Sequence, residues 1–397
     1  GFAHPPDGSQ NLITLKPHNL ITHMKKLFFG ACLVAALFSC SDSGDDMVEV
    51  PGGDNTENGG NTEDSGGGNT ENGGNTEEIE YATDETVYEI PVVFHVFYSQ
   101  KSQRLEYVEE GHLPKVLEAV NRRFANCGVD LKLQFKLAEV DPDGNVMPEP
   151  GVDRQKVRIA TMNSTEFLKD PAYAHYMWDQ TKYLNICLFK EKNDAVLGIS
   201  SFPYTLHPDT LAGMPKLMEM RPASELDYPH CVYVNSRYIY DLEPESYKTS
   251  EIVGSLCHEI AHYLGLRHAF GEDPVTLSRD CDIDTDFCED TPTYNKSKYD
   301  SYLLNNYPYD GIFTDELVEQ LAWRTNSVTG ERFVSHNIMD YAVSYLDELT
   351  PQQCERIRYI LMRSPYVPGP KVKREDAPTA TSVRSTAKQP FPHRIAY

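Results

Sequence analysis

"HEIAHYLGLRH", residues 258–268, places three histidines and one glutamate in eleven residues, with a glycine between the second and third histidines. Two histidines four apart on a helix are usually surface or satisfied core residues and decide nothing. The full pattern H-E-x-x-H-x-x-G-x-x-H is far rarer: its five fixed letters arise by chance in roughly a few chains of this length per hundred thousand. The spacing has a geometric reason. At 3.6 residues per turn His258 and His262 lie one above the other on one helix face, so both imidazoles reach one ion. Glu259 is rotated by about 100° from His258, within reach of a water on that ion without becoming a ligand. Gly265 accepts a positive φ, ends the helix and turns the chain, and His268 returns as a third nitrogen. Three protein ligands and an open fourth position make a catalytic, not a structural, zinc site. The pattern implies hydrolysis at one Zn2+, with Glu259 as general base and acid. Iron or manganese also bind three histidines, but a glutamate beside the first ligand argues for zinc.

The flanking residues predict the helix that carries this site. Thr249 or Ser250 is the expected N-cap, with Glu251 in the first turn, where the helix dipole favours an acid. Ile252, Leu256, Ile260 and Leu264 form an apolar row, with Val253, Cys257 and Ala261 beside it, so the helix belongs in a core. Upstream, residues 90–98 run apolar like a buried strand, and Leu113, Val116, Leu117, Val120 and Phe124 recur at helical spacing. "DLKLQFK" (130–136) alternates like a half-buried strand, and "YLNICLF" (183–189) is a second β-rich apolar run. Downstream lies an irregular Asp-, Tyr- and Pro-rich half that ends in a helix near 351–363.

A second motif, "HNIMDY" (336–341), follows the histidines by some seventy residues. Together the two resemble the zinc signature and methionine turn of the metzincin metalloproteases. "EIPVVFHVFY" (89–98), "AVNRRFANCGV" (119–129), "KYLNICLFK" (182–190), "LGISSFP" (197–203), "CEDTP" (288–292) and "LTPQQCERIR" (349–358) narrow the resemblance to the pappalysin branch, over about 89–362. In bacteria such proteins resemble secreted and lipoprotein zinc endopeptidases. The resemblance implies an α/β (α+β) metzincin-type catalytic domain: a twisted mixed sheet and the active-site helix above the cleft, and a smaller irregular lower subdomain beneath it. It also implies Met339 as an apolar floor, Tyr341 as a helper of the oxyanion, and the strand around 197–202 as the edge an extended substrate joins. Some relatives carry a structural Ca2+ and disulfides in the lower region. Here the resemblance gives Asp282, Asp290 and Thr291 as calcium ligands, in the acidic loop "CDIDTDFCEDTP"; Cys281 and Cys288 flank that loop and are candidates to form or join disulfides, with the connectivity open. Relatives that prefer a basic residue after the cleaved bond use an acid beyond the methionine turn. That position reads Ser344, with Asp347 close by, so the preference is not carried over.

The front of the chain has its own logic. "MKKLFFGACLVAALFSC" starts at Met24 with two lysines and stops at Cys40 after an apolar run too short for a comfortable span, which reads as a signal peptide (24–39). Leu37-Phe38-Ser39-Cys40 resembles a bacterial lipobox, with Cys40 as the lipidated residue; an ordinary cleaved signal with a spare cysteine is the alternative. The acidic "SDSGDD" that follows resembles a surface-export signal, so the expected location is the bacterial outer membrane, exposed at the surface or released. Residues 1–23 read as an over-extended N-terminus. Residues 40–85 contain the repeat N-T-E-N-G-G and read as a tether, since they cannot bury enough apolar surface to fold. The catalytic domain is expected at 86–365 and a flexible tail at 366–397.

With 36 Lys and Arg against 60 Asp and Glu, the formal charge of −24 argues against nucleic acid as a partner. The expected partners are protein or peptide substrates, with membrane contact only through the N-terminal lipid and the protein a monomer. Of nine cysteines, Cys32 lies in the signal and Cys40 is the anchor, which leaves an odd number. Two other readings compete with this one. A non-catalytic surface-binding lipoprotein would be favoured by loss of Glu259 or a histidine, and none is lost. A zinc exopeptidase or amidase needs a charge to hold a substrate terminus, which no motif announces.

Overall fold

The computed structural model describes residues 81–222, 225–226, 230–242, 247–307, 313–373 and 393–396. The N-terminal stretch, the signal peptide, Cys40 and the repeats up to residue 80 lie outside the described residues. The chain opens with β1 (Tyr88–Tyr98), almost wholly buried. It continues through α1 (Arg104–Tyr107), α2 (His112–Ala125), β2 (Leu133–Leu137), β3 (Val152–Lys156), β4 (Thr161–Met162) and α3 (Ser164–Lys169). Then come β5 (Leu184–Glu191), β6 (Gly198–Ser201), the short β7 (Thr205–Leu206) and β8 (Lys216–Leu217), β9 (Cys231–Asn235) and the histidine helix α4 (Ile252–Tyr263). The lower half holds α5 (Lys296–Asn306), α6 (Asp315–Leu321), the hairpin β10 (Trp323–Thr325) and β11 (Arg332–Val334), and α7 (Pro351–Arg363). A last strand, β12 (His393–Ala396), returns to the sheet.

The main sheet is mixed, in the order β12-β6-β9-β5-β1-β2, with β3 also on β1 and β4 on β5. β2, β3 and β5 run parallel to β1, and β9 runs parallel to β5. β6 is antiparallel to β9, and β12 is antiparallel to β6. Parallel inner strands are covered on both faces, which is why residues 90–98 read as a continuous apolar run and not an alternation. One face, with Ile90, Phe94, Ile186 and Val234, packs against Val116 and Val120 of α2 and Leu256 and Ile260 of α4. The other face carries Phe97, Cys187, Phe189, Cys231 and Tyr233 against Phe167 and Leu168 of α3. The strand expected over 130–136 begins later, at Leu133, because Lys132 takes a φ of 49°.

α4 starts differently from the expectation. Its N-cap is Glu251 itself, not Thr249 or Ser250: the carboxylate accepts from Val253 N at 2.9 Å and Gly254 N at 2.7 Å. Arg123 of α2 donates to the same carboxylate at 3.0 Å and braces it. The half below α4 is also more regular than its sequence suggests. α5, α6 and the hairpin close around an aromatic core of Phe270, Tyr294, Tyr299, Leu303, Val318 and Leu321. α7 begins with a full capping box between Thr350 and Gln353, with proline at its first turn.

Two further features concern the end of the folded region and the cysteines. The folded region continues past residue 365: Tyr366 and Val367 are buried, Tyr88 Oη donates to Pro370 O at 2.9 Å, and Ala82 N donates to Lys371 O at 3.0 Å. Residues 393–396 pair antiparallel with β6. The seven cysteines of the described residues are all free thiols. Cys288 is buried with Sγ 3.8 Å from Asp286 O, and Cys281 Sγ points at Ile283 O, so the disulfides expected there are not formed.

Candidate active site

α4 delivers His258 and His262 to one side of the core, and Gly265 turns the chain at a φ of +92°. A Cβ on Gly265 would lie 2.6 Å from Ile360 Cγ1, so both the conformation and the space require glycine. His268 then comes back beside the other two. The three rings are buried, with centroids 4.6, 4.7 and 5.2 Å apart. Two of the Nδ1 atoms are hydrogen-bonded on the outside of the cluster, and the third lies beside a carboxylate. His258 Nδ1 donates to Ile338 O and His262 Nδ1 to Leu266 O, both at 2.8 Å, and His268 Nδ1 lies 3.1 Å from Glu272 Oε1. With their protons on Nδ1, all three rings turn an Nε2 lone pair inward.

The residues present fit a metal ion. His262 Nε2 and His268 Nε2 face each other at 3.1 Å, close to the ~3.3 Å between two ligands held 2.0–2.1 Å from a tetrahedral ion. His258 Nε2 is buried without a hydrogen-bond partner. Burial first, then His268 alongside, holds the pKa of His258 down to about 3, so the ring is a neutral donor. Nitrogen ligands alone suit zinc better than the oxygen-seeking ions. Among the described residues this is the one histidine, cysteine or carboxylate group close enough to hold an ion.

Glu259 lies on the same helix and is buried; burial alone pushes its carboxyl well above the ordinary range. Its Oε2 makes no hydrogen bond, so nothing in the protein ties down the oxygen that chemistry would use. Gly198 of β6 packs directly on this side chain: a Cβ there would fall 2.6 Å from Glu259 Cγ and 2.8 Å from Oε1. Four residues on, Phe202 stands edge-on to His262 at 5.5 Å. β6 therefore runs along the site with its outer edge toward β12.

The methionine turn closes the site from below through its backbone. Ile338 O orients His258, and Met339 O accepts from Ala269 N at 3.0 Å. The Met339 side chain is fully buried in the main core. Tyr341 is edge-on to His268 at 4.8 Å and tilted to His258 at 5.5 Å. The Arg279 guanidinium sits over its ring at 4.8 Å and approaches its hydroxyl at 3.5 Å. Asp340, between the two, is buried; Tyr294 Oη donates to it at 2.5 Å, Ser335 Oγ also donates, and Arg324 Nε lies at 3.6 Å.

In the acidic loop, the residues expected as calcium ligands each have a partner within the protein. Asp282 is paired with Lys298 at 2.7 Å and with Asn295, while Asp290 accepts from Gln352 N at the start of α7. Thr291 faces Thr350. Glu272, Gly198 and Arg279 escaped the sequence reading. Glu272 had a faint signal, a carboxylate four residues after His268; the other two depend on tertiary placement alone.

In sequence, residues 168–362 match the family described as Pregnancy-associated plasma protein-A, a peptidase family. Among solved structures, Tannerella forsythia mature mirolysin in complex with a cleaved peptide aligns at 20% identity and a TM-score of 0.46, over 69% of this chain and 91% of that one. A Tannerella forsythia promirolysin mutant aligns at 18% and 0.47, over 71% and 83%. No curated protein matches the chain. The matched segment contains all three histidines, Glu259 and the methionine turn, and over it this chain is similar to the pappalysin-like metallopeptidases.

Proposed function

We propose that this metallopeptidase is a zinc-dependent endopeptidase of the metzincin type, which cuts extracellular proteins or peptides within the chain. The observation that carries the reading is the convergence of three inward Nε2 atoms with a buried carboxylate, Glu259, whose Oε2 has no partner. His258, His262 and His268 would hold the ion through Nε2. Zinc, when bound, supplies a Lewis acid and lowers the pKa of water toward neutrality. Glu259 takes the proton of the attacking water and passes it to the departing amine, a role suited to a carboxylate whose pKa is raised by burial. Tyr341, with Arg279 directed at its hydroxyl oxygen, donates toward the oxygen of the tetrahedral carbon. An extended peptide would lie along β6, with its main chain matched to the strand edge and its reacting carbonyl beside Glu259.

Cleavage of a diverse peptide library, with bound metal measured in the same samples, tests this on the wild type and on Glu259→Ala. The expected outcome is internal cleavage by the wild type, a loss of about 10²–10⁴-fold in the variant, and zinc retained in both. Zinc without cleavage in either protein would point to a binding role and sink the endopeptidase reading. Absence of stoichiometric metal in folded protein would sink the histidine assignment. Lipid attachment at Cys40 and display at the cell surface belong to the same proposal and rest on the lipobox-like sequence; loss of labelled palmitate in Cys40→Ala is the expected result.

A further inference from the structure

β6 is the outermost strand of the sheet apart from what binds to it, and its sequence, Gly-Ile-Ser-Ser, has none of the usual edge protection. Edges are ordinarily blunted by lysine, proline or a bulge, since unpaired N–H and C=O groups invite another strand. Here the visitor is the chain's own segment His393–Ala396, antiparallel, with His393 opposite Ser201, Ile395 opposite Ile199 and Ala396 opposite Gly198. Gly198 is the residue that abuts Glu259, and the other end of the strand leads to Phe202 beside His262. The backbone of β12 therefore occupies the lane alongside the catalytic groups. Residues 374–392 link it to the body, nineteen residues that reach up to about 60 Å when extended, so reach does not limit the docking.

We propose that residues 393–396 are a strand-forming inhibitor in cis, which fills the peptide lane along β6 and must leave before substrate binds. The inference rests on the endopeptidase reading for its inhibitory meaning, and on the observed pairing for its geometry. Main-chain pairing is indifferent to side-chain sequence, so the segment competes with any extended substrate. A tethered competitor works at an effective concentration of about a millimolar. Against a docking constant of about 0.1–1 mM, this raises the apparent KM by about two- to tenfold and leaves kcat alone.

The test uses the full chain and the double substitution Arg394→Pro and Ile395→Pro. Adjacent prolines remove two consecutive N–H groups, so one of them falls on a ladder hydrogen bond whichever parity the pairing has. Two quantities are read: amide hydrogen exchange at residues 198–201, and KM and kcat for a peptide taken from the library. Expected are faster exchange at β6, KM lowered by about two- to tenfold with kcat unchanged, and competitive inhibition restored by a synthetic peptide of residues 388–397. Unchanged exchange overturns the docking, and faster exchange with an unchanged KM overturns the inhibition. Cleavage by neither protein sinks the endopeptidase reading, and exchange then decides the docking by itself.

Discussion

Gly198 shows how finely single residues set this site. It has an ordinary φ, yet any side chain there runs into Glu259. Gly198→Ala should displace the carboxylate by a few tenths of an ångström to an ångström and lower kcat/KM by about 10- to 100-fold, with the metal content of the purified protein unaltered. His230 is a different case. It is buried, stacked on Tyr263 at 4.1 Å, and its Nδ1 donates to Tyr366 O at 3.2 Å; burial holds its pKa down to about 4. Because that value is below the unfolded one, the unfolded chain takes up a proton first as pH falls. The stability contributed at neutral pH is lost between about pH 6.5 and 4, by about 2–3 kcal/mol. Urea unfolding at pH 7 and 4.5 should show a smaller loss in His230→Phe than in the wild type. Of these residues the sequence showed the histidines, Glu259, Met339 and Tyr341, because a one-dimensional spacing encodes how a helix and a turn present them. Gly198 and Arg279 reach the site from distant stretches, and no local pattern marks them.

Among elements, legibility followed periodicity. β1, α2, β5, α4 and α7 each carry an apolar row or run and stand where the pattern put them. α5 buries only Lys296, Tyr299 and Leu303 among its eleven residues, too sparse for a 3.6-residue rhythm, so the lower half looked irregular. The N-cap of α4 was misplaced because a glutamate seldom caps; here Arg123 on the neighbouring helix holds Glu251 in that position. The expected disulfides failed for a related reason: cysteine spacing says nothing about which way each thiol points. Glu251→Ala removes the carboxylate that accepts from two backbone N–H groups and the partner of Arg123. A loss of about 1–2 kcal/mol is expected, seen as a lower urea midpoint with an unchanged m-value.

On the scale of the molecule, the upper sheet and the lower aromatic core meet at the histidines. His258 is held by Ile338 O and Ala269 N by Met339 O, so residues far apart in sequence share one ion's surroundings. Under the proposed function, zinc held there is a ligand of the folded state. Chelation should lower stability by about 3–4 kcal/mol when the free ion is in 100- to 1,000-fold excess over its dissociation constant. Thermal unfolding of the wild type with and without chelator, compared with His262→Ala, measures this: the variant's Tm should not respond. That the strand around 197–202 is an edge beside the site came only through the family resemblance, since strand order follows from long-range pairing that no local pattern carries.

The buried anchor of Asp340 has a consequence for lifetime. Arg324 donates to Leu321 O and to Val343 O, both at 2.6 Å, stacks on Tyr299 at 3.6 Å and faces Asp340, while Tyr294 and Ser335 complete the shell. The residue after Met339 is thereby tied to the floor of the lower half. A peptidase in solution is surrounded by copies of itself, and each local opening offers a cleavable strand to a neighbour. For the proposed endopeptidase, tying the turn beside the three histidines to the lower core makes partial opening costly, so that self-digestion would wait for the rarer event in which both halves come apart together.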